Sequence, residues 1–100
     1  MNTLTKDTFR QALDQTFVLQ AGANQTLELS LIAITDLNLH VPSAGTVRNE
    51  PFSLTFHGPA TPWARQHTYR LENKVLGPLD IFLVPLGLTG NRMQYEAVFT

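Results

Sequence analysis

The sequence contains no cysteine, few charged residues, no long apolar run and no recognisable export signal. Without cysteine, a disulfide scaffold, a thiolate metal site and cysteine catalysis are excluded. No apolar run approaches the ~18 residues of a membrane-spanning helix. No charged segment followed by an apolar one comes after Met1. We therefore expect the chain to be cytoplasmic as synthesised and to have no membrane partner.

Charged residues make up 15% of the 100 residues, against about 25% in an ordinary soluble domain. Seven basic and eight acidic side chains leave a formal net charge of −1, so we expect no nucleic-acid partner. Threonine occurs 12 times and asparagine and glutamine six times each, which predicts a neutral polar surface. Such a surface favours association between copies, although threonine also suits the pleated surface of any small β-domain.

The 43% hydrophobic content and the length predict a single domain over residues 1–100. Its first segment, about residues 5–15, has the spacing of a helix. Thr5 is the expected N-cap, and Phe9, Ala12 and Leu13 form one apolar stripe. A helix this short must pack on something, so we expect it to plug an open end of a β-structure or to cover a sheet edge.

After the helix the apolar period changes to two, which predicts about six mostly antiparallel strands in a small barrel or sandwich over about residues 16–100. The pattern slips from Leu31 to Ile32, which predicts a β-bulge. The composition of residues 40–50 predicts the least structured part of the chain. Residues 79–86 are almost continuously apolar, which predicts a central strand covered on both faces, with Pro85 marking its end and residues 87–91 forming a loop.

From Phe52 onward the chain carries a series of short motifs: FSL, FHGP, LG, FLVP followed by Gly87, and YEAVF. On this signature it resembles a small bacterial all-β domain family of unknown function. The resemblance implies an association with tail-collar or fibre-like proteins and assigns no catalytic residue. The chain departs from the family where His67 replaces a usual glycine and where the loop before the last strand is short.

Few residues have the spacing that site chemistry requires. The three histidines, His40, His57 and His67, form no metal-ligand motif. We therefore predict no metal, no cofactor and no catalytic residue. Asp80 interrupts the most apolar stretch, and Arg70 or Arg92 on neighbouring strands is its expected partner.

Trp63 lies in a connector between two strands, where an indole either covers the core or is exposed. Covering the core is the more common arrangement. If Trp63 is exposed, the candidate interaction surface comprises Pro59, Pro62, Trp63, His67 and Tyr69.

These observations predict a non-enzymatic structural, assembly or protein-interaction module. Its expected partner is a second copy or a co-encoded fibre-like or tail-like protein, so that the chain would enter an extracellular or phage-like assembly. The alternative is a β-barrel that binds a small ligand or carbohydrate, with Trp63, His67 and Tyr69 around an open mouth. A deep pocket lined by these residues would favour the alternative, and a solidly filled interior would count against it. A metal-dependent enzyme is a third, weaker reading.

Overall fold

The computed structural model describes residues 5–22, 24–37 and 51–99. Within these ranges the strands form a closed barrel in the order β1-β2-β3-β6-β5-β4, and neighbouring strands run antiparallel. The elements are α1 (Lys6–Arg10), β1 (Thr16–Gly22), β2 (Gln25–Asp36), β3 (Phe52–Pro59), β4 (His67–Asn73), β5 (Gly77–Thr89) and β6 (Arg92–Phe99). The mainly-β prediction is confirmed, as a barrel rather than a sandwich. The stretch 40–50 lies outside the described residues.

The barrel interior is filled by alternate residues of each strand. Phe17 of β1 packs edge-on against Phe56 of β3, with ring centroids 5.3 Å apart. Side chains with at most 1% of their surface exposed come from all six strands: Phe17, Leu19, Leu29, Leu31, Leu54, Phe56, Leu71, Leu83 and Tyr95 are at 0% and Ile81 is at 1%. Burial of each such side chain stabilises the fold by about 1.5–3 kcal/mol before the entropy of ordering is subtracted.

The helix is shorter than predicted. It begins with a capping box between Thr5 and Thr8 and ends at Arg10. Asp14 has a positive φ of 69°, and its N–H donates to the carbonyl of Leu31 at 2.7 Å. The backbone here is already bound to β2, so it cannot continue a helix. The prediction of helix to residue 15 is therefore wrong, and Leu13 is 41% exposed rather than part of the buried stripe.

Phe9 closes one end of the barrel. Its fully buried ring lies 6.0 Å from that of Phe52 at the start of β3 and 5.4 Å from that of Phe99 at the end of β6. Lys6 forms an ion pair with Asp36, the last residue of β2. The expectation that the helix plugs an open end is confirmed, and we call this the helix end.

The predicted bulge lies at Ile32. Leu31 pairs with Phe56 and Ala33 with Thr55, so Ile32 is an extra residue in β2, and it is 38% exposed. The extra residue changes the alternation, which brings Ile34 back towards the core.

β5 continues past Pro85, contrary to the prediction. Pro85 pairs with Tyr95 of β6, and a register shift at Leu86 precedes three more residues that run to Thr89. The last β4 partner of β5 is His67, opposite Leu83. Beyond Leu83 one side of β5 has no strand partner within the described ranges. A proline is tolerated there because its missing N–H breaks no ladder bond.

The predicted loop over residues 87–91 is also wrong. Thr89 pairs with Arg92, so the hairpin loop contains only Gly90 and Asn91. Gly90 has a φ of +63°, and a positive φ at the first loop position is typical of a type II′ hairpin turn.

The strand order requires one long crossing. β3 is followed in sequence by β4, yet in the barrel β6 and β5 separate them on one side and β2 and β1 on the other. Residues 60–66 therefore pass over the end of the barrel where β3 ends and β4 begins. We call this the crossover end. It lies opposite the helix end, because the strands alternate in direction around the barrel.

Gly58 provides room in the interior at the crossover end. A Cβ added there would lie 2.5 Å from Leu29 Cδ2 and 3.3 Å from Tyr95 Cε1. Leu29 and Tyr95 are both fully buried, so neither side chain can move aside into solvent. The glycine of the FHGP motif is thus required by packing.

We expect Gly58→Ala to destabilise the fold by about 1–3 kcal/mol, because it overpacks the barrel. Gly22→Ala is the matched control, since a Cβ at Gly22 would meet no atom within 4 Å. The free energy of unfolding in urea measures both variants. Equal stability of the two would contradict the packing role of Gly58.

Candidate interaction surface

The segment that crosses the barrel end is held by two tyrosine hydroxyls. The backbone N–H of Ala64 donates to the hydroxyl of Tyr95 at 2.8 Å, a buried hydrogen bond. The hydroxyl of Tyr69 donates to the carbonyl of Arg65 at 2.8 Å, in a more exposed position. Ala64 is the residue of this segment that is drawn into the core, with 6% of its surface exposed.

The residues of the predicted surface divide into two groups. Pro62, Trp63 and His67 are exposed at the crossover end. Pro59 and Tyr69 are half-buried, and the Tyr69 ring lies edge-on to that of His67 at 5.2 Å. The structure thus places all five residues at this end, with the Tyr69 hydroxyl bound to the crossing segment.

Trp63 is 51% exposed, so the expectation that it covers the core is wrong. The neighbouring residue explains this. The Tyr95 hydroxyl holds the N–H of Ala64 at the barrel mouth, which makes Ala64 the inward residue and leaves the indole outside.

A larger apolar surface lies on β5, where the sequence predicts a strand covered on both faces. The inward residues Ile81 and Leu83 are buried as expected. Phe82 and Val84 alternate with them and face away from the interior; Phe82 is 49% exposed and Val84 is half-buried. Leu86, at the register shift that follows, is 52% exposed.

Val98 extends this surface onto β6. Because Val84 pairs with Glu96, Val98 lies two residues further along β6, level with Phe82, and it is 53% exposed. We call Phe82, Val84, Leu86 and Val98 the β5 outer face. The prediction that this strand is covered on both faces is wrong for the described chain: its outer side is open.

Along β5 the outer face is free of charge, and Glu96 of β6, which pairs with Val84, is the carboxylate that lies beside it. Between Asp80 and Arg92 the sequence has no Asp, Glu, Lys or Arg. At the margin, Arg70 of β4 donates to Asp80 at 2.9 Å, which confirms Arg70 as the partner of Asp80. This hydrogen bond and the attraction of the carboxylate raise the pKa of Arg70 above its ordinary value. Arg70 and Asp80 therefore neutralise each other's charge beside the apolar surface.

Among the described residues, a groove lies at each barrel end, and the two linings differ. The larger, of about 620 Å³, is at the crossover end and is lined by Glu28, Gly58, Pro59, Ala60, Asn91 and Arg92. The other, of about 450 Å³, is at the helix end and is lined by Asp14, Gln15, Thr16, Val18, Glu72 and Lys74. Neither groove is lined by Trp63, His67 or Tyr69, the residues that the ligand-binding alternative placed around a mouth.

Histidine and carboxylate side chains are dispersed. Over residues 5–22, 24–37 and 51–99, no three His, Asp or Glu side chains are grouped to hold a metal. His40 lies outside these ranges. His57 is half-buried on β3 between Ser30 and Gln94, and its Nε2 is buried without a hydrogen-bond partner. Within the same ranges, no helix is both long and apolar enough to cross a membrane.

The family of the chain follows from its match to a family model. The model of a domain of unknown function, DUF6916, matches residues 4–99. The chain belongs to this family. The helix and all six strands of the barrel lie within the matched DUF6916 domain. No curated protein and no solved structure gives a significant match to the chain.

We expect Tyr95→Phe to destabilise the fold by about 1–3 kcal/mol, because it leaves the buried N–H of Ala64 without an acceptor. Tyr69→Phe is the matched control, because it removes a hydroxyl from a more exposed hydrogen bond at the same end. The free energy of unfolding in urea at neutral pH is measured for both variants. Equal losses of stability in the two variants would contradict the role of Tyr95 in holding the crossing segment.

Stability above pH 10 gives a second test of Tyr95. Burial raises the pKa of Tyr95 above its ordinary value of 10.0. Below pH 10 both the folded and the unfolded chain keep this proton, and the stabilisation is fully present. As the pH rises further, the unfolded chain releases the proton first, so the free energy of unfolding falls. We expect the stability gap between wild type and Tyr95→Phe to narrow from pH 9 to pH 11. A constant gap would contradict the raised pKa.

Proposed function

We propose that the chain is a non-enzymatic protein-interaction module that takes part in an assembly through its β5 outer face. The observation that carries this proposal is the uncovered outer side of a strand whose sequence is apolar on both sides. On the inner side of this strand, the apolar side chains pack in the barrel core. Outside, about half of the surface of Phe82, Leu86 and Val98 remains in water.

Contiguous exposed apolar side chains of this kind are typical of protein contact sites. Burial of apolar area stabilises a complex by about 25 cal/mol per Å² before the costs of association. Aromatic residues surrounded by neutral contacts contribute most at interfaces. Phe82 on the β5 outer face and Trp63 at the crossover end are the two large aromatic side chains that are about half exposed.

The contact is made by side chains rather than by an added strand. A closed barrel leaves few open edges, and β6 is paired with both β3 and β5. The open edge of β5 after Leu83 carries Pro85, which has no N–H, and the register shift at Leu86. Proline and bulges at an edge hinder pairing with another strand. Association by strand addition is therefore disfavoured.

The filled interior argues against the ligand-binding alternative. Phe17, Phe56 and Tyr95 occupy the centre with no exposed surface. The buried side chain of Asn73 also stabilises the fold. Its amide group donates to the side-chain oxygen of Gln15 and to the carbonyl of Thr16. Its oxygen accepts from the N–H groups of Val75 and Leu76. A co-encoded fibre-like or tail-like protein and a second copy of the chain are the partners that we propose.

We expect Phe82→Glu to weaken association at least tenfold, because it puts a carboxylate at the centre of an apolar contact. Val75→Glu is the matched control: Val75 is 48% exposed but lies in the turn before β5, at the helix end. Mass photometry and light scattering measure self-association, and calorimetric titration measures binding to co-encoded proteins.

Both variants change exposed side chains, so their stability should stay within about 0.5 kcal/mol of wild type. The proposed function fails if the wild-type chain is a strict monomer and also binds none of the co-encoded proteins. It also fails if Phe82→Glu and Val75→Glu weaken association equally.

A further inference from the structure

We propose that the partner on the β5 outer face is a co-encoded protein that brings an arginine into the apolar contact and pairs it with Glu96. The inference rests on the proposed function and states the chemistry of the partner. The observation behind it is a carboxylate that lies beside the apolar side chains and has no partner among the described residues.

Glu96 is an outward, half-buried residue of β6. It pairs with Val84 of β5 on one side and with Thr55 of β3 on the other. Val98, the next outward residue along β6, is 53% exposed. Glu96 therefore has apolar neighbours both along its own strand and across to β5.

The described part of the chain supplies no cation to this carboxylate. Within residues 5–22, 24–37 and 51–99, Glu96 forms no hydrogen bond through its side chain and no ion pair. Arg92, on the same strand, is four residues away, which is about 13 Å at the rise of a β-strand. Arg70, on the other side of the β5 outer face, is bound to Asp80.

A partner that covers the β5 outer face also removes water from Glu96. Contact between a carboxylate and apolar atoms costs free energy, because the charge loses its hydration and no hydrogen bond replaces it. A cation of the partner offsets this cost through a charge-assisted hydrogen bond. The surface therefore fits a partner in which one basic side chain lies among apolar ones.

Arginine meets this requirement better than lysine. Its guanidinium is less strongly hydrated than an ammonium group, and it can bind both oxygens of a carboxylate. Its aliphatic stem can pack on Val84 and Val98 while the charged group reaches Glu96. Arginine is also enriched among the residues that contribute most to protein contacts.

The same carboxylate disfavours a second copy of the chain as the occupant. From Ile81 to Thr89, β5 carries no charged residue, so it offers no cation to the Glu96 of another copy. A contact between two β5 outer faces would bring two carboxylates into one apolar contact, where like charges are destabilising. Charge complementarity therefore favours a different protein.

Calorimetric titration with individually purified co-encoded proteins tests the inference. We expect Glu96→Gln to weaken binding of the partner at least tenfold, because its arginine loses the carboxylate. Glu28→Gln is the matched control: it changes the net charge equally, but Glu28 is an exposed residue of β2, outside the β5 outer face. Both variants should unfold at the same urea concentration as wild type, since neither carboxylate is bonded within the described chain.

Substitution of each arginine of the bound protein by glutamine locates the pair. One of these changes should weaken binding to the wild-type chain at least tenfold. The same change should alter binding to the Glu96→Gln variant by less than about twofold, because the paired carboxylate is already absent.

The outcomes separate this inference from the proposed function. Equal effects of Glu96→Gln and Glu28→Gln, or the lack of any arginine coupled to Glu96, would overturn the inference. The proposed function would still stand if Phe82→Glu weakened the same binding. If the chain binds no co-encoded protein and associates only with itself, the inference also fails. A stronger association of Glu96→Gln would then identify a second copy as the occupant.

Discussion

The hydrogen bond from the Ala64 N–H to the Tyr95 hydroxyl is the interaction on which the rest of the structure depends. The strand order forces residues 60–66 across an open barrel end, where a backbone would otherwise have no partner inside. Tyr95 reaches that segment from the interior, and Gly58 leaves space beside its ring. This hydrogen bond draws Ala64 inward and leaves Trp63 outside, and the hydrogen bond from Tyr69 to Arg65 also holds the segment.

Much of the fold could be predicted from local patterns, because each pattern has a local physical cause. Alternation of apolar residues marks the strands, and the slip at Ile32 marks the bulge. The end of the helix could not be predicted, because Asp14 is held by the carbonyl of Leu31, a contact distant in sequence. The end of β5 could not be predicted from Pro85 for a similar reason. Whether a proline ends a strand depends on which neighbouring strand lies beside it.

The candidate site was predictable only in part. The sequence indicated the residues at the crossover end, but the exposure of Trp63 depends on a tyrosine 32 positions later in the chain. The β5 outer face was missed because an apolar run has the same sequence whether its cover comes from the same chain or from another molecule. The low charge of the chain is consistent with this, since the apolar run from Ile81 to Leu88 contains no charged residue.

The ladders that close the barrel differ greatly in length. β3 and β6 share eight paired positions, whereas β1 and β4 share two, Val18 with Glu72 and Leu19 with Leu71. The chain therefore consists of two three-stranded meanders joined firmly along one seam and weakly along the other. Each meander has mainly short-range pairings and can form early in folding, while the β1–β4 seam brings together distant residues at a higher entropic cost. With two paired positions against eight, that seam has fewer ladder hydrogen bonds to break, and we expect the barrel to open there before the β3–β6 side.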